Sequence, residues 1–89
     1  MPQSDRRWKQ YQKIAQRRCK NVSFNQLCSL LELFGWVRDR VARSNHYIYV
    51  HDRYEGFVNV PKPHQGRDVR SVYCREALRA ISEVEEYDK

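Results

Sequence analysis

The sequence predicts an α+β domain with an α-β-β-β-α core and an extra N-terminal basic helix. Two observations lead to this prediction. Apolar residues repeat at helical spacing in two separate segments, and between those segments the pattern changes to the two-residue alternation of strands. With 89 residues, of which 40% are hydrophobic, the chain is long enough for one compact domain and too short for two.

The first segment, residues 1–22, is a basic arm that is predicted to be helical. It holds seven basic residues and one acidic residue, which accounts for the whole net charge of +6. Residues 5–19 contain no Pro or Gly, and their clearest apolar spacing is Trp8, Tyr11 and Ile14. Such an arm favours polyanionic partners, although a solvated helix that keeps a small protein soluble would have the same composition.

A second helix is predicted at residues 24–34. Ser23 can cap its first turn, and Gln26 can reach back to Ser23 as in a capping box. Gly35 suits the left-handed backbone position that ends a helix. The residues with the spacing of one buried stripe are Phe24, Leu27, Cys28, Leu31 and Phe34.

Three strands are predicted at 36–41, 46–51 and 57–60 because these segments are rich in aromatic and β-branched residues. Short turns at 42–44 and 52–56 join them. The strands should therefore form an antiparallel meander.

The alternation in the second strand predicts which of its side chains face the core. His46 shares its parity with Ile48 and Val50, so these three are expected on the core side. Tyr47 and Tyr49 are then expected to point away from the core. One interpretation of this parity is that His46 only caps the core at the rim of the sheet.

The last helix is predicted at residues 69–85, with Asp68 as its cap and an acidic tail at 86–89. The order α-β-β-β-α is that of double-stranded RNA-binding domains, in which both helices cover one face of the sheet. The sequence therefore predicts a double-stranded-RNA-binding-domain-like fold at residues 23–85. The basic arm precedes this domain.

The cysteine and hydropathy patterns exclude several classes of protein. Cys19, Cys28 and Cys74 are odd in number and widely separated, which argues against a disulfide framework or a zinc knuckle. The three His residues show no metal-ligand spacing. No apolar run approaches the length of a membrane span, and no signal-peptide region begins the chain. We expect a cytoplasmic protein with reduced thiols and no membrane partner.

Residues 24–81 resemble HicA toxins. The likeness rests on a capped helix ending in Gly35-Trp36, a basic strand, a turn into the motif His46-Tyr47-Ile48-Tyr49, a strand running into Val60-Pro61 and a final helix. The resemblance implies a double-stranded-RNA-binding-like fold, ribonuclease activity against mRNA, a HicB-like antitoxin partner and no cofactor. Family members usually carry Gly-Ser-His where this chain has Ser44-Asn45-His46.

The resemblance makes His46 the catalytic residue of a metal-independent ribonuclease. An imidazole can take the proton of a ribose 2′-hydroxyl or protonate the leaving 5′-oxygen near neutral pH. Arg38, Arg40 and Arg43 lie close to His46 in the predicted hairpin and could hold the scissile phosphate. Other residues that we expect to contact RNA are Asn45, Tyr47, Lys62, His64 and Arg67. His51 falls on the opposite face and is expected to be a solvated polar residue.

Two other functions remain open at this point. The chain could be a non-catalytic nucleic-acid-binding module of the same fold, in which the basic arm and loop bind phosphates and His46 is structural. It could also be an interaction protein whose exposed sheet face docks a partner. RNA cleavage that is lost in a His46 variant would distinguish an enzyme from the non-catalytic module. Binding that depends only weakly on salt would indicate the interaction protein.

Overall fold

A computed structural model describes residues 2–43, 45–64 and 66–87 and confirms the predicted α+β order. It contains three helices and a three-stranded sheet within these residues. The elements are α1 (Pro2–Gln16), α2 (Phe24–Leu33), β1 (Val37–Ala42), β2 (His46–His51), β3 (Tyr54–Pro61) and α3 (Ser71–Tyr87).

The local signals at both ends of α2 are confirmed. The Ser23 hydroxyl accepts from the Gln26 backbone N–H at 3.1 Å, and the Gln26 side chain accepts from the Ser23 N–H at 3.0 Å. Gly35 follows with φ +87. This left-handed conformation favours glycine and turns the chain into β1.

The sheet is an antiparallel meander in the order β1-β2-β3, as predicted. β2 is the central strand. A bulge interrupts the β1–β2 register between Arg38 and Arg40, so that Arg38 pairs with Tyr49 and Arg40 pairs with Ile48. The extra residue places Arg38 and Arg40 on opposite faces of the sheet.

Helices α2 and α3 cover one face of the sheet, and the core lies between them and the strands. Tyr49 is only 1% exposed and joins this core together with Val58 and Val60. Tyr47 packs against it and meets the Phe24 ring edge-on at 4.8 Å. The predicted parity of β2 is therefore wrong, because Tyr47 and Tyr49 face the helices.

The other side of β2 has no helix among the described residues. His46, Ile48 and Val50 lie there, opposite Tyr47 and Tyr49 in the strand alternation. Ile48 is nevertheless 5% exposed, although it does not belong to the core between sheet and helices.

Helix α1 is part of the folded body. Its Ile14 is buried, and Trp8 and Tyr11 pack edge-on against Phe34 at 5.1 and 6.2 Å. The Tyr11 hydroxyl donates to the Leu78 carbonyl of α3 at 3.3 Å. The weakly periodic apolar residues of the arm therefore form the face through which α1 packs against α2 and α3.

The predicted start of the last helix needs a correction. α3 begins at Ser71, three residues after Asp68, so Asp68 is not its cap. The Val69 N–H instead donates to the Val22 carbonyl at 2.9 Å, which holds residue 69 in an extended connection. The helix continues to Tyr87, so the first two residues of the predicted tail are helical, and residues 88–89 lie outside the described residues.

Candidate active site

His46 begins the central strand at the end of the sheet where α2 and α3 also begin. It pairs with Ala42 of β1 and with Pro61 of β3. Its side chain lies on the helix-free face and is half-buried. The imidazole is therefore fixed by strands on both sides and remains open to a ligand from the free face.

One hydrogen bond orients the His46 ring. Its Nδ1 lies 3.2 Å from Oδ1 of Asn59, a residue of β3 on the same face. With the amide oxygen as acceptor, Nδ1 carries the hydrogen, and Nε2 then holds the free lone pair of the neutral ring. This arrangement presents Nε2 as a proton acceptor on the open face.

Sequence reasoning missed Asn59. An amide side chain is uncommon between two valines of a strand, and this was the available signal. Its meaning depends on the β2–β3 register, which brings Asn59 opposite Ile48 and within reach of His46. The register could not be read from the sequence.

Two of the predicted phosphate-binding arginines lie on the open face or its rim. Arg40 shares the face of His46 and bonds to the neighbouring Asp39 carboxylate at 2.7 Å. Both side chains are largely exposed, so this pair is easily opened. Arg43 lies in the β1–β2 turn with φ +50, and Asn45 follows on the other side of Ser44, which lies outside the described residues.

The β3–α3 loop lies beside the β1–β2 turn. The Lys62 N–H donates to the Asn45 carbonyl at 2.7 Å, and the Lys62 ammonium stands 5.8 Å from the centre of the Phe24 ring. His64 and Arg67 are exposed further along the same loop. The fold thus brings Asn45 and Lys62 to the His46 end of the sheet.

Arg38 and Tyr47 lie on the other side of the sheet. The Arg38 guanidinium is 5.3 Å from the centre of the Tyr47 ring, and that ring packs on Phe24 of α2. Neither side chain shares the face of His46. A direct role beside the imidazole is therefore left to Arg40 and Arg43.

His51 lies at the far end of β2 and makes its own contacts. Its Nδ1 accepts from the Arg53 N–H at 3.1 Å, and its ring packs at 5.4 Å from Trp36. It lies on the face opposite His46, as predicted, but it is half-buried rather than fully solvated. It is not placed to act with His46.

The open face also carries exposed apolar side chains. Phe57 of β3 is 57% exposed, and Val37 of β1 is 63% exposed. With the half-buried Val50 they form an apolar surface beyond His46, which we call the open apolar face (Val37, Val50 and Phe57). Clusters of exposed apolar residues typically mark interaction surfaces.

On the helical side, burial changes the acidity of several groups. Burial raises the pKa of the Tyr49 phenol, whose hydroxyl donates to the Glu32 carboxylate at 3.4 Å. Burial likewise raises the pKa of the Cys28 and Cys74 thiols. All three cysteines are free and buried, so they are structural residues rather than nucleophiles.

A comparison with known protein families identifies the family of this chain. The model of the family described as "HicA toxin of bacterial toxin-antitoxin" matches residues 24–82. The chain belongs to the HicA toxin family. Searches of curated proteins and of solved structures gave no match.

Membership of the HicA family makes this chain a toxin of a toxin–antitoxin system, and it implies an antitoxin partner. The HicA match runs from the first residue of α2 to the second half of α3 and includes His46 and Asn59. Helix α1 and the connection after it lie outside the match. No described helix is long and apolar enough to cross a membrane.

Proposed function

We propose that this HicA toxin is a metal-independent endoribonuclease that cleaves mRNA in the cytoplasm, with His46 as its catalytic residue. The observation that carries the proposal is the hydrogen bond from His46 Nδ1 to Asn59. It directs Nε2 toward the helix-free face, where an RNA strand can reach it.

RNA cleavage by this route requires two proton transfers, one from the attacking 2′-hydroxyl and one to the leaving 5′-oxygen. Nε2 takes the proton of a ribose 2′-hydroxyl as its oxygen attacks the adjacent phosphorus. The bond from phosphorus to the 5′-oxygen breaks, which leaves a 2′,3′-cyclic phosphate on one fragment. The leaving oxygen takes a proton from the imidazolium or from water and becomes a 5′-hydroxyl.

Asn59 acts as a positioning residue in this scheme. As Nε2 gains a proton the ring becomes cationic, and the amide oxygen of Asn59 stabilises the hydrogen on Nδ1. Arg40 and Arg43 supply positive charge on the same face and rim, where charge develops on the phosphate oxygens. Asn45, Lys62, His64 and Arg67 hold the strand on either side of the cleaved bond.

The decisive experiment compares His46→Ala with wild type on a labelled mRNA fragment in the presence of EDTA. Loss of cleavage at unchanged melting temperature is expected. His64→Ala and His51→Ala are matched controls, each removing one imidazole, and the His64 variant should lose affinity while retaining the cleavage step. Products should end in a 2′,3′-cyclic phosphate and begin with a 5′-hydroxyl.

Two results would overturn the proposal. Cleavage by a well-folded His46→Ala protein would exclude His46 as the catalytic group. Tight RNA binding without any cleavage by the wild-type toxin would favour a non-catalytic RNA-binding module.

We further propose that a HicB-like antitoxin silences the toxin by covering His46. The open apolar face offers Phe57 and Val37 as apolar anchors, and Arg40 offers a charge for partner carboxylates. A partner seated there excludes RNA from Nε2 without altering the fold.

A further inference from the structure

The connection between α1 and α2 carries three cationic residues that the HicA family match does not include. Arg17, Arg18 and Lys20 precede the matched residues 24–82. All three side chains are exposed. Within residues 2–43, 45–64 and 66–87, none of them forms an ion pair. They therefore carry a concentrated and uncompensated positive charge.

The chain beneath these cations is held firmly in place. Cys19 and Val22 are buried at 2% and 0% exposure. The Val22 carbonyl accepts from the Val69 N–H at 2.9 Å, and Cys19 joins the same buried core cluster as Cys74 of α3. The connection is thus fixed against the start of α3.

The backbone of the connection is strained. Arg18, Cys19 and Asn21 have φ of 54, 59 and 57, in the left-handed region. Such a conformation costs a non-glycine residue roughly 1 kcal/mol. It persists only where the surroundings impose it. Here, it turns two apolar side chains inward and leaves the cations on the outside.

Two backbone hydrogen bonds link the α1–α2 connection, through the β3–α3 loop, to the end of the sheet that carries His46. The first joins Lys62 to Asn45 of the turn before His46, and the second joins Val69 to Val22. Residues 62–70 therefore run from the His46 turn to the α1–α2 connection. Along this route the cationic residues are Arg43, Lys62, Arg67, Arg70, Arg17, Arg18 and Lys20.

The charge is concentrated at this end of the molecule. Asp68 is the one acidic residue among the described parts of the turn, the loop and the connection. The opposite end holds the β2–β3 turn and the last turns of α3. Its acidic residues are Asp52, Glu55, Glu83, Glu85 and Glu86. The same end also holds the basic residues Arg6, Arg7, Lys9 and Arg53, so its charges largely balance. An anionic strand is therefore attracted mainly to the His46 end.

We propose that Arg17, Arg18 and Lys20 form a phosphate-binding extension of the RNA site. These residues belong to the segment that precedes the HicA domain. The extension contacts the sugar–phosphate backbone beyond the cleaved bond, without reading sequence. RNA fits better than a protein partner because Cys19 and Val22 are buried, so the connection has no apolar anchor to offer. This inference rests on the proposed ribonuclease function.

The test measures RNA affinity as a function of salt for paired charge variants. Arg17→Gln/Lys20→Gln removes two cations from the extension, and Arg18 is retained because its backbone is left-handed. Arg6→Gln/Lys9→Gln removes two exposed cations from the other end of α1, where Arg7 pairs with Glu85 at 3.8 Å. The probe is a 2′-O-methyl RNA, which keeps every phosphate but has no 2′-hydroxyl to attack.

Each phosphate contact on a single strand contributes about 0.7 to the slope of log affinity against log salt. We expect the extension variant to lose roughly 1.4 of that slope and to bind more weakly at low salt. The control should keep the wild-type slope. Arg17→Glu/Lys20→Glu should weaken binding further, at an unchanged melting temperature.

An unchanged slope in the extension variant, or an equal loss in both variants, overturns the inference. Because the probe cannot be cleaved, these results are independent of whether His46 is catalytic. If unmodified RNA is cleaved normally while the extension variant binds like wild type, only the extension fails. If RNA is bound through the extension but never cleaved, only the ribonuclease proposal fails.

Discussion

Nδ1 of His46 and Oδ1 of Asn59 lie 3.2 Å apart across the β2–β3 ladder, on the one face of the sheet that carries no described helix. This contact connects two strands and selects one tautomer of the imidazole. It makes the behaviour of Asn59 variants a sensitive test of the mechanism.

Replacing Asn59 by Ala should lower kcat by about fivefold, since a net hydrogen bond contributes about 1 kcal/mol and this one orients the catalytic ring. KM should change little because Asn59 does not hold RNA in the proposed scheme. Asn59→Asp keeps an acceptor at the same place and should restore part of the rate. Single-turnover cleavage kinetics measure these effects. An Asn59→Ala protein with wild-type kcat would show that the contact has no catalytic role.

Phe57→Ser should weaken antitoxin binding because the side chain is an exposed apolar anchor on the same face of the sheet as His46. A loss of about 2 kcal/mol, or roughly 30-fold in Kd, is typical of such an anchor. Isothermal titration with the purified antitoxin measures it. The matched control is Val72→Ser on α3, another exposed apolar residue far from the open face. Equal effects of the two substitutions would place the antitoxin elsewhere.

Arg40→Glu/Arg43→Glu should weaken the binding of RNA and of antitoxin together, because both are proposed to use the same charged rim. Arg6→Glu/Lys9→Glu reverses two charges on α1 and serves as the control. Fluorescence anisotropy with labelled RNA and labelled antitoxin gives both affinities. Wild-type antitoxin affinity combined with lost RNA binding would mean that inhibition acts from a separate site.

Alkaline pH should destabilise the fold. Burial raises the pKa of Tyr49 and of Cys74 above their ordinary values of 10.0 and 9.0. Unfolding then releases protons in strongly alkaline solution, so stability is complete below about pH 9 and falls as pH rises further. Tyr49→Phe should flatten the decline of Tm above about pH 10. A Tyr49→Phe protein whose Tm declines as steeply as that of wild type would contradict this account.

Phe34→Ala should cost about 3–5 kcal/mol of unfolding free energy, since it leaves a cavity among α1 and α2. Phe34 is 2% exposed and contacts Trp8, Tyr11 and the Arg7 guanidinium. Val72→Ala, at a 43% exposed position, should cost less than about 0.5 kcal/mol. Urea unfolding measures both. A small cost at Phe34 would mean that α1 contributes little to the packed core.

The features that the sequence predicted well are those with local causes. The capping box of Ser23 and Gln26 and the left-handed Gly35 each depend on a few neighbouring residues, and both are present. The order of helices and strands followed from periodicity in the same way.

The features that it predicted poorly depend on neighbours distant in the chain. Both parities of β2 contain apolar or aromatic residues, so alternation alone does not select the core face. Tyr49 packs in the core with Val58 and Val60, and its hydroxyl reaches Glu32 at the end of α2. Asn59 meets His46 only through the strand register, and the bulge beside Asp39 separates Arg38 from Arg40.

The central position of β2 has a consequence for how the toxin can be controlled. Its backbone is hydrogen-bonded to β1 on one side and β3 on the other, so its amide protons should exchange with solvent only when the whole sheet opens. His46 belongs to this most protected strand. Local unfolding of this strand is therefore not expected to inactivate the proposed catalytic imidazole. We expect control of this toxin to act on the folded protein, through a partner that covers it or through degradation.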